Sequence, residues 1–267
     1  MARIMRLARP PNPLVGYARS MTVTLCIETS TAYCSLALAD QNQMFCRHEK
    51  LLRRHNEQVL PMLDALYQEA GIAVRDTQLI GFGAGPGSFT GVRIAASVAQ
   101  GIGMASGASV VPLPGSEIVL RSALHANRRN TDPENADPSP ADGHRYWLTV
   151  VPSRADAFYL AVYEQTGEDA LLLLHDDRLY TDVPDWLTAL PVPLTELRGL
   201  GPRPDWLDAT IPFASQTEND MNAVAMIERV RQMHAQGLSQ PAHMALPIYV
   251  EGDSPWRKND PAAVPTA

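Results

Sequence analysis

The sequence predicts an α/β protein with two lobes, and three observations carry this prediction. Three strand-like segments come first, Thr22–Glu28, Tyr33–Ala39 and Gln43–Glu49, and they indicate an antiparallel meander. Helix-like and strand-like segments then alternate up to residue 126. A second group of strand-like segments follows a polar stretch, so a second lobe is expected after it.

Two helices dominate the first predicted lobe. An apolar stripe at helical spacing predicts a helix at Asn56–Ala70, and it consists of Val59, Leu63, Leu66 and Ala70. Gly71 ends this helix, and Pro61 lies within it, so the helix either starts late or bends there. A strand, Leu79–Gly83, and a second helix, Ser88–Ala105, follow.

The remaining segments complete the predicted order. In the first lobe a strand, Ser109–Leu113, leads to a helix, Ser116–Ala126. The second lobe is predicted to hold three strands and a late helix: Tyr146–Val151, Ala157–Glu164, Leu171–His175 and Asn222–Met233. Three antiparallel strands followed by alternating helices and strands are typical of a ribonuclease-H-like lobe. The second half is expected to be a degenerate lobe of the same kind.

Composition sets the expected domain boundaries. Residues 1–20 carry four arginines and three prolines but no acid. We expect a disordered extension there, or a product of start-codon choice, since Met21 directly precedes the first strand. The first lobe is placed at 21–126, a linker or long loop rich in Asp-Pro and Ser-Pro steps at 127–143, and the second lobe at 144–267.

The net charge and the cysteine content of the chain exclude some classes of function. The formal net charge of −7 argues against a broad basic face that grips nucleic acid directly. The cysteines Cys26, Cys34 and Cys46 form no Cys-x-x-Cys motif and are expected to be free thiols in a reducing cytosol. No segment approaches about 18 uninterrupted apolar residues, so a cytoplasmic protein without a transmembrane helix is predicted.

The stretch from Gly83 to Arg93, GAGPGSFTGVR, is the most informative one in the chain. A glycine-rich turn between a strand and a helix presents free backbone N–H groups and the positive end of a helix, which is typical of an anion site. It lacks the Gly-Lys-Ser/Thr of a P-loop, and Pro86 stands where a nucleophile elbow needs its first glycine. The alternative is a tight turn in which Ser88 caps the helix.

Further motifs point to a known family. A first strand that ends in an acid and Thr-Ser-Thr, here Glu28-Thr29-Ser30-Thr31, resembles the actin, sugar kinase and Hsp70 superfamily. Glu stands where that superfamily usually has Asp, which weakens the case for a Mg²⁺ site. With Arg54-His55-Asn56-Glu57, the glycine turn, Pro247–Val250 and Trp256–Lys258, the chain resembles the TsaB (YeaZ) family, best over residues 21–125.

The resemblance implies an accessory protein in the formation of threonylcarbamoyladenosine beside the anticodon of tRNAs. The implied partners are a TsaD-like transferase, a TsaE-like ATPase and, for the chain alone, a second copy. tRNA would be contacted only through the complex. TsaD-like catalysts carry His-x-x-x-His, and none of the seven histidines here has a partner four residues away, so no catalytic or metal residue is expected. The cofactor that the resemblance leaves open is ATP or ADP with Mg²⁺ at the partner interface.

Two helices are implied to form the partner or dimer interface. Small residues repeat every four positions after the glycine turn, which lets another helix approach closely. The candidate interface residues are Arg54, His55, Glu57, Leu60, Gly91, Val92, Ala95, Ala96, Ala99 and Gly103. A buried unpaired charge in this face, as in Ala95→Arg, is expected to abolish the pairing. The alternative is that the small face packs on the chain's own sheet.

Five residues are candidates for contacting a nucleotide or another anion: Glu28, Thr29, Ser30, Ser88 and Arg93. Glu28 is either a residual Mg²⁺ ligand or the polar end of a buried strand. Arg93 either pairs with an acid or a phosphate, or is solvated. These residues keep a stand-alone ATPase or kinase of the same superfamily open as an alternative function. A peptidase is a remoter alternative, since no base is identifiable near Ser88.

Overall fold

The structure is a computed structural model that describes residues 22–51, 54–129, 145–154, 156–167, 169–213 and 221–250. The expected extension at 1–20 and the motif Trp256–Lys258 lie outside these ranges. The expected linker at 127–143 lies outside them too, apart from its first three residues, which belong to a helix.

The first lobe is built on a five-stranded sheet with the strand order β3-β2-β1-β4-β5. Its strands are β1 Thr24–Glu28, β2 Tyr33–Ala39, β3 Met44–Lys50, β4 Leu79–Gly85 and β5 Ser109–Pro114. The first three pair antiparallel, and β4 and β5 run parallel to β1. Because parallel neighbours need a crossover, helices enter the chain only after β3.

Helices α1 (His55–Ala70) and α2 (Phe89–Ser106) cover one face of this sheet. The apolar stripe of α1 packs there with Ala95 and Ala99 of α2 against Leu25, Ile27 and Phe82 of the sheet. Gly71 ends α1 in the left-handed conformation, as predicted, and Pro61 lies inside the helix.

The second lobe repeats the strand pattern in a four-stranded sheet with the order β8-β7-β6-β9. Its strands are β6 Arg145–Arg154, β7 Ala157–Gln165, β8 Leu171–Tyr180 and β9 Leu197–Leu200. Strand β9 runs parallel to β6, as β4 does to β1. Between β8 and β9 the described chain forms 3-10 turns at Asp185–Ala189 and Leu194–Glu196 where the first lobe has helix α1. The prediction of two ribonuclease-H-like lobes, the second degenerate, is confirmed.

Helices α3 (Gly115–Arg129) and α4 (Ile227–Ala235) lie between the two sheets. They share one hydrophobic core with both sheets: Leu79 and Leu113 of the first, Trp147 and Tyr159 of the second, and Ile118 and Val230 of the helices. A Cβ added at Gly81 of β4 would come 2.3 Å from Cγ2 of Val230, so α4 packs closely on the first sheet.

Residues 221–250 therefore return to the first lobe, which corrects the expected boundary of the second lobe at 144–267. Arg231 fixes this return, because its Nε donates to Thr24 Oγ1 at 3.0 Å and its Nη2 to the carbonyl oxygen of Ala39 at 3.1 Å. The predicted helix at Asn222–Met233 is in fact a 3-10 turn, Ala223–Met226, followed by α4. In the described ranges, none of the helices combines the length and the apolar character that crossing a membrane requires.

Candidate functional site

A cleft of about 1020 Å³ opens between the two lobes beside the glycine turn. One wall is formed by the turn after β1 and the start of α2, the other by the ends of β6 and β9. The described side chains that face it are apolar or carry neutral hydroxyl and amide groups, and among these described lining residues only His55 is titratable. Thr29, Ser30 and Ser88 line the cleft as the sequence suggested, whereas Glu28 and Arg93 do not.

The start of α2 is pressed against the turn after β1. The Ser88 N–H donates to the carbonyl oxygen of Ser30 at 2.9 Å, and Thr29 Oγ1 donates to the carbonyl oxygen of Gly91 at 2.7 Å. A Cβ at Gly91 would lie 2.1 Å from the Thr29 carbonyl oxygen, so only glycine allows this approach. Ser88 acts as the helix cap, with Oγ accepting from the Gly91 N–H at 3.5 Å.

Glu28 is the polar end of a buried strand. Its Oε1 accepts the N–H of Ser30 at 2.5 Å, and its Oε2 is buried with no hydrogen-bond partner in the described part of the chain. The carboxyl group lies over Gly83, where a Cβ would come 1.7 Å from Oε2. Burial raises the pKa of Glu28 above its usual range, and the hydrogen bonds from Ser30 and Thr29 offset this only in part.

Magnesium with a nucleotide, which the superfamily implies for such a cleft, does not fit these residues. The acid that would face the metal is fully buried, and none of the described residues that line the cleft is a lysine, arginine, aspartate or glutamate. Mg²⁺ is usually held by one or two carboxylates that are free to face it. In the ranges that the structure covers, no group of three or more His, Cys, Asp and Glu side chains could hold a metal ion.

The small face of α2 packs on the chain's own sheet, which corrects its expected place at an interface. Four residues of this face lie in the first-lobe core or at its edge: Val92, Ala95, Ala96 and Ala99. Gly91 contacts the turn after β1, and Gly103 faces Ala242, whose Cβ would lie 2.7 Å from an added Cβ. A charge at Ala95 would therefore disrupt the core, so such a variant reports on folding rather than on pairing.

The other candidate interface residues lie at the start of α1, and some of them are buried while others are exposed. His55 is largely buried, with Nε2 at 3.1 Å from the carbonyl oxygen of Tyr33. Arg54 and Glu57 form an exposed ion pair with Nε to Oε2 at 3.1 Å, and Leu60 is 61% exposed. Of the ten candidate interface residues, these last three are the ones on the surface.

The outward face of α2 carries a second set of small residues that the sequence analysis missed. Ser97, Gly101 and Ala105 are exposed, with Ile94 and Val98 half-buried beside them and Met104 70% exposed. They repeat every four positions, as the buried set does. Spacing alone could not tell which set faces the sheet. The residue that distinguishes the two sets is Val92, because this larger apolar side chain lies on the same side of the helix as the buried set.

Two lobes that each hold three antiparallel strands and a parallel fourth, with a cleft between them, define a protein of the actin, sugar kinase and Hsp70 fold class. Within it, residues 49–136 match the family model described as "TsaD: tRNA N6-adenosine threonylcarbamoyltransferase". Over most of its length the chain is similar to proteins named TsaB and YeaZ.

These relatives cover different shares of the chain. The "tRNA threonylcarbamoyladenosine biosynthesis protein TsaB" of Escherichia coli is 28% identical over 250 residues, 88% of this chain and 96% of that protein. The protein of the same name from Haemophilus influenzae is 33% identical over 104 residues, and this match spans only 44% of that relative. The solved structure "YeaZ from Pseudomonas aeruginosa" is 26% identical with a TM-score of 0.64, covering 86% of this chain and all of that one.

Proposed function

We propose that this protein is a non-catalytic subunit in the biosynthesis of threonylcarbamoyladenosine in tRNA. Its work is to bind a TsaD-like transferase, and the relatives' names and the partial match to the transferase family support this role. The described lining of the cleft is almost entirely neutral, which favours a binding protein over a stand-alone ATPase or kinase. The three free cysteines fit a reducing cytoplasm.

The proposed interface is the outer face of α1 and α2, defined by Leu60, Pro61, Ser97, Gly101 and Met104. The observation that carries it is Gly101, where an added Cβ would meet nothing within 4 Å. Glycine in the middle of an exposed helix costs about 0.5–1 kcal/mol relative to alanine, and no contact within the described chain requires it. A second helix that approaches closely would require it. The exposed Leu60 and Met104 would then be buried.

The same face serves two kinds of partner in this proposal. In the absence of the transferase it pairs with a second copy of the chain, and the transferase then competes for it. A TsaE-like ATPase joins the assembled pair, and tRNA is contacted through the complex. The net charge of −7 fits a subunit that leaves RNA binding to its partners.

Gly101→Arg is expected to lower the affinity for the TsaD-like partner by at least about 30-fold, the size of an interface hot spot, while leaving the chain folded. Arginine is a better helix former than glycine, so the variant should unfold at the same or a higher urea concentration than the parent. Affinity is measured by titration calorimetry and folding by circular dichroism. The matched control is Gly167→Arg, the same change at an exposed turn of the second lobe.

The activity assay is threonylcarbamoyl transfer to tRNA by TsaC-, TsaD- and TsaE-like proteins with and without this chain. We expect product only when the chain is present, much less product when it carries Gly101→Arg, and undiminished product when it carries Gly167→Arg. Transfer without the chain would contradict the proposed function. Undiminished affinity in a folded Gly101→Arg variant would contradict the proposed face.

A further inference from the structure

A guanidinium group is held in place at the start of α2, outside the cleft. Cζ of Arg93 lies 3.5 Å from the centroid of the Phe89 ring and 5.7 Å from that of Tyr249. Its Nε donates to the Tyr249 hydroxyl at 3.1 Å. Arginine loses up to about 2 kcal/mol of side-chain entropy when it is fixed at an interface, and this stacking has already restricted it.

The Tyr249 residue that contacts Arg93 is itself held in place by main-chain contacts. The Ile248 N–H donates to the carbonyl oxygen of Ala84 at 2.7 Å, which joins the 245–250 segment to the end of β4. Gly85, with φ of +107°, lies against this segment, because an added Cβ there would come 3.0 Å from the Ile248 carbonyl oxygen. Tyr249 is therefore positioned by backbone contacts with the glycine turn.

Within the described residues, the terminal nitrogens of Arg93 have no hydrogen-bond partner and can bind a ligand. The guanidinium has five N–H donors, and the one hydrogen bond that the described residues provide uses Nε. The two rings that hold it are aromatic, and Tyr249 is 51% exposed. An arginine held by partly exposed aromatic rings has the composition of an interface hot spot.

We propose that Arg93 is an anchor for a carboxylate of the TsaD-like partner, with Phe89 and Tyr249 as its positioning residues. This inference rests on the proposed function and extends its interface, since Arg93 precedes Ser97 and Gly101 by one and two steps of four residues along the exposed side of α2. A planar guanidinium matches a carboxylate through two parallel hydrogen bonds. RNA phosphates are bound by several cations together, whereas the described contacts of this arginine are with two aromatic rings and a hydroxyl group.

The test is the affinity for the TsaD-like partner, measured by titration calorimetry at 50 and 500 mM NaCl. Arg93→Gln is expected to weaken binding by about 30-fold at low salt, and most of the salt dependence should disappear with the charge. Arg93→Lys keeps the charge but cannot form the two parallel hydrogen bonds of a guanidinium, so it should show an intermediate loss of affinity. Tyr249→Phe removes only the hydrogen bond to Nε and should weaken binding several-fold. Arg178→Gln, at an exposed position of β8, is the control.

The possible results distinguish a failure of the proposed Arg93 anchor from a failure of the proposed function. If the parent chain binds the partner and Arg93→Gln binds equally well, the anchor is wrong and the proposed function stands. If Arg93→Gln weakens binding but retains the full salt dependence, a carboxylate is excluded. If it weakens only tRNA binding by the assembled complex, the ligand is a phosphate. If the parent chain does not bind the partner, both proposals fail.

Discussion

Replacing Gly91 by alanine should destabilise the protein by about 3 kcal/mol, the upper end of what overpacking usually costs. The new Cβ would lie 2.1 Å from the carbonyl oxygen of Thr29 and 2.7 Å from the Cα of Ser30. Both are backbone atoms, so no side chain can rotate away. The helix start would have to leave the turn after β1, which would break the hydrogen bond from Thr29 Oγ1 to the Gly91 carbonyl oxygen.

The matched control is Gly101→Ala in the same helix. Its Cβ meets no atom within 4 Å, so the higher helix propensity of alanine should stabilise the protein by about 0.5–1 kcal/mol. Urea unfolding followed by circular dichroism measures both changes. Equal stability of the two variants would mean that the turn after β1 does not press on α2 as described.

Asp177 should lower the stability of the protein as the pH rises from about 4 to about 7. Its carboxylate on β8 is buried, with Oδ2 accepting from the Ser116 hydroxyl of α3 at 2.5 Å. Ser116 is in turn 2.8 Å from the Tyr163 hydroxyl. In the described part of the structure Oδ1 has no hydrogen-bond partner. Burial raises the pKa of Asp177 from 3.8 to about 7.

The direction of this change in stability follows from the protons bound by the folded and unfolded states. Between pH 3.8 and about 7 the folded state keeps the proton on Asp177 while the unfolded state has lost it. Stability therefore decreases with rising pH across this window. At about 1.4 kcal/mol per pKa unit, the loss reaches about 4 kcal/mol above pH 7 as an upper limit. The raised pKa of Glu28 acts in the same direction.

Asp177→Asn should flatten this pH dependence. The difference in unfolding free energy between pH 5 and pH 8 should shrink by up to about 3 kcal/mol relative to the parent protein, measured by urea titration at each pH. Asp176→Asn removes an exposed charge on the same strand that contributes to the raised pKa of Asp177, so it should reduce the difference much less than Asp177→Asn does. A slope that is identical in all three proteins would remove Asp177 as its source.

The elements of the first lobe could be predicted from the sequence because each depends on residues that are close together in the chain. The stripe at Val59, Leu63 and Leu66 predicted α1, and it packs on the first-lobe sheet as a helix. The return of α4 to the first sheet was not accessible, because it depends on Gly81 and Val230, which lie far apart in the sequence. Periodicity describes one segment at a time and does not reveal which sheet a late helix covers.

The candidate site was accessible only in part, for the same reason. The motif around Thr29, Ser30 and Ser88 was found from its residue types, and these residues do line the cleft. The buried placement of Glu28 depends on Gly83 of a neighbouring strand. The pairing of Arg93 with Tyr249 joins residues that are 156 positions apart, so the sequence offered two separate motifs and no indication of their contact.

The return of residues 221–250 makes the first lobe discontinuous, which matters while the protein is being synthesised. Translation proceeds at about 5–20 residues per second, so the first sheet leaves the ribosome well before the segment that covers it. Until Ile227 and Val230 are made, the sheet face with Leu79 and Leu113 lacks part of its cover. The second lobe, inserted before that segment, is complete earlier. A nascent chain that stalls before residue 221 would thus expose apolar surface to chaperones and proteases.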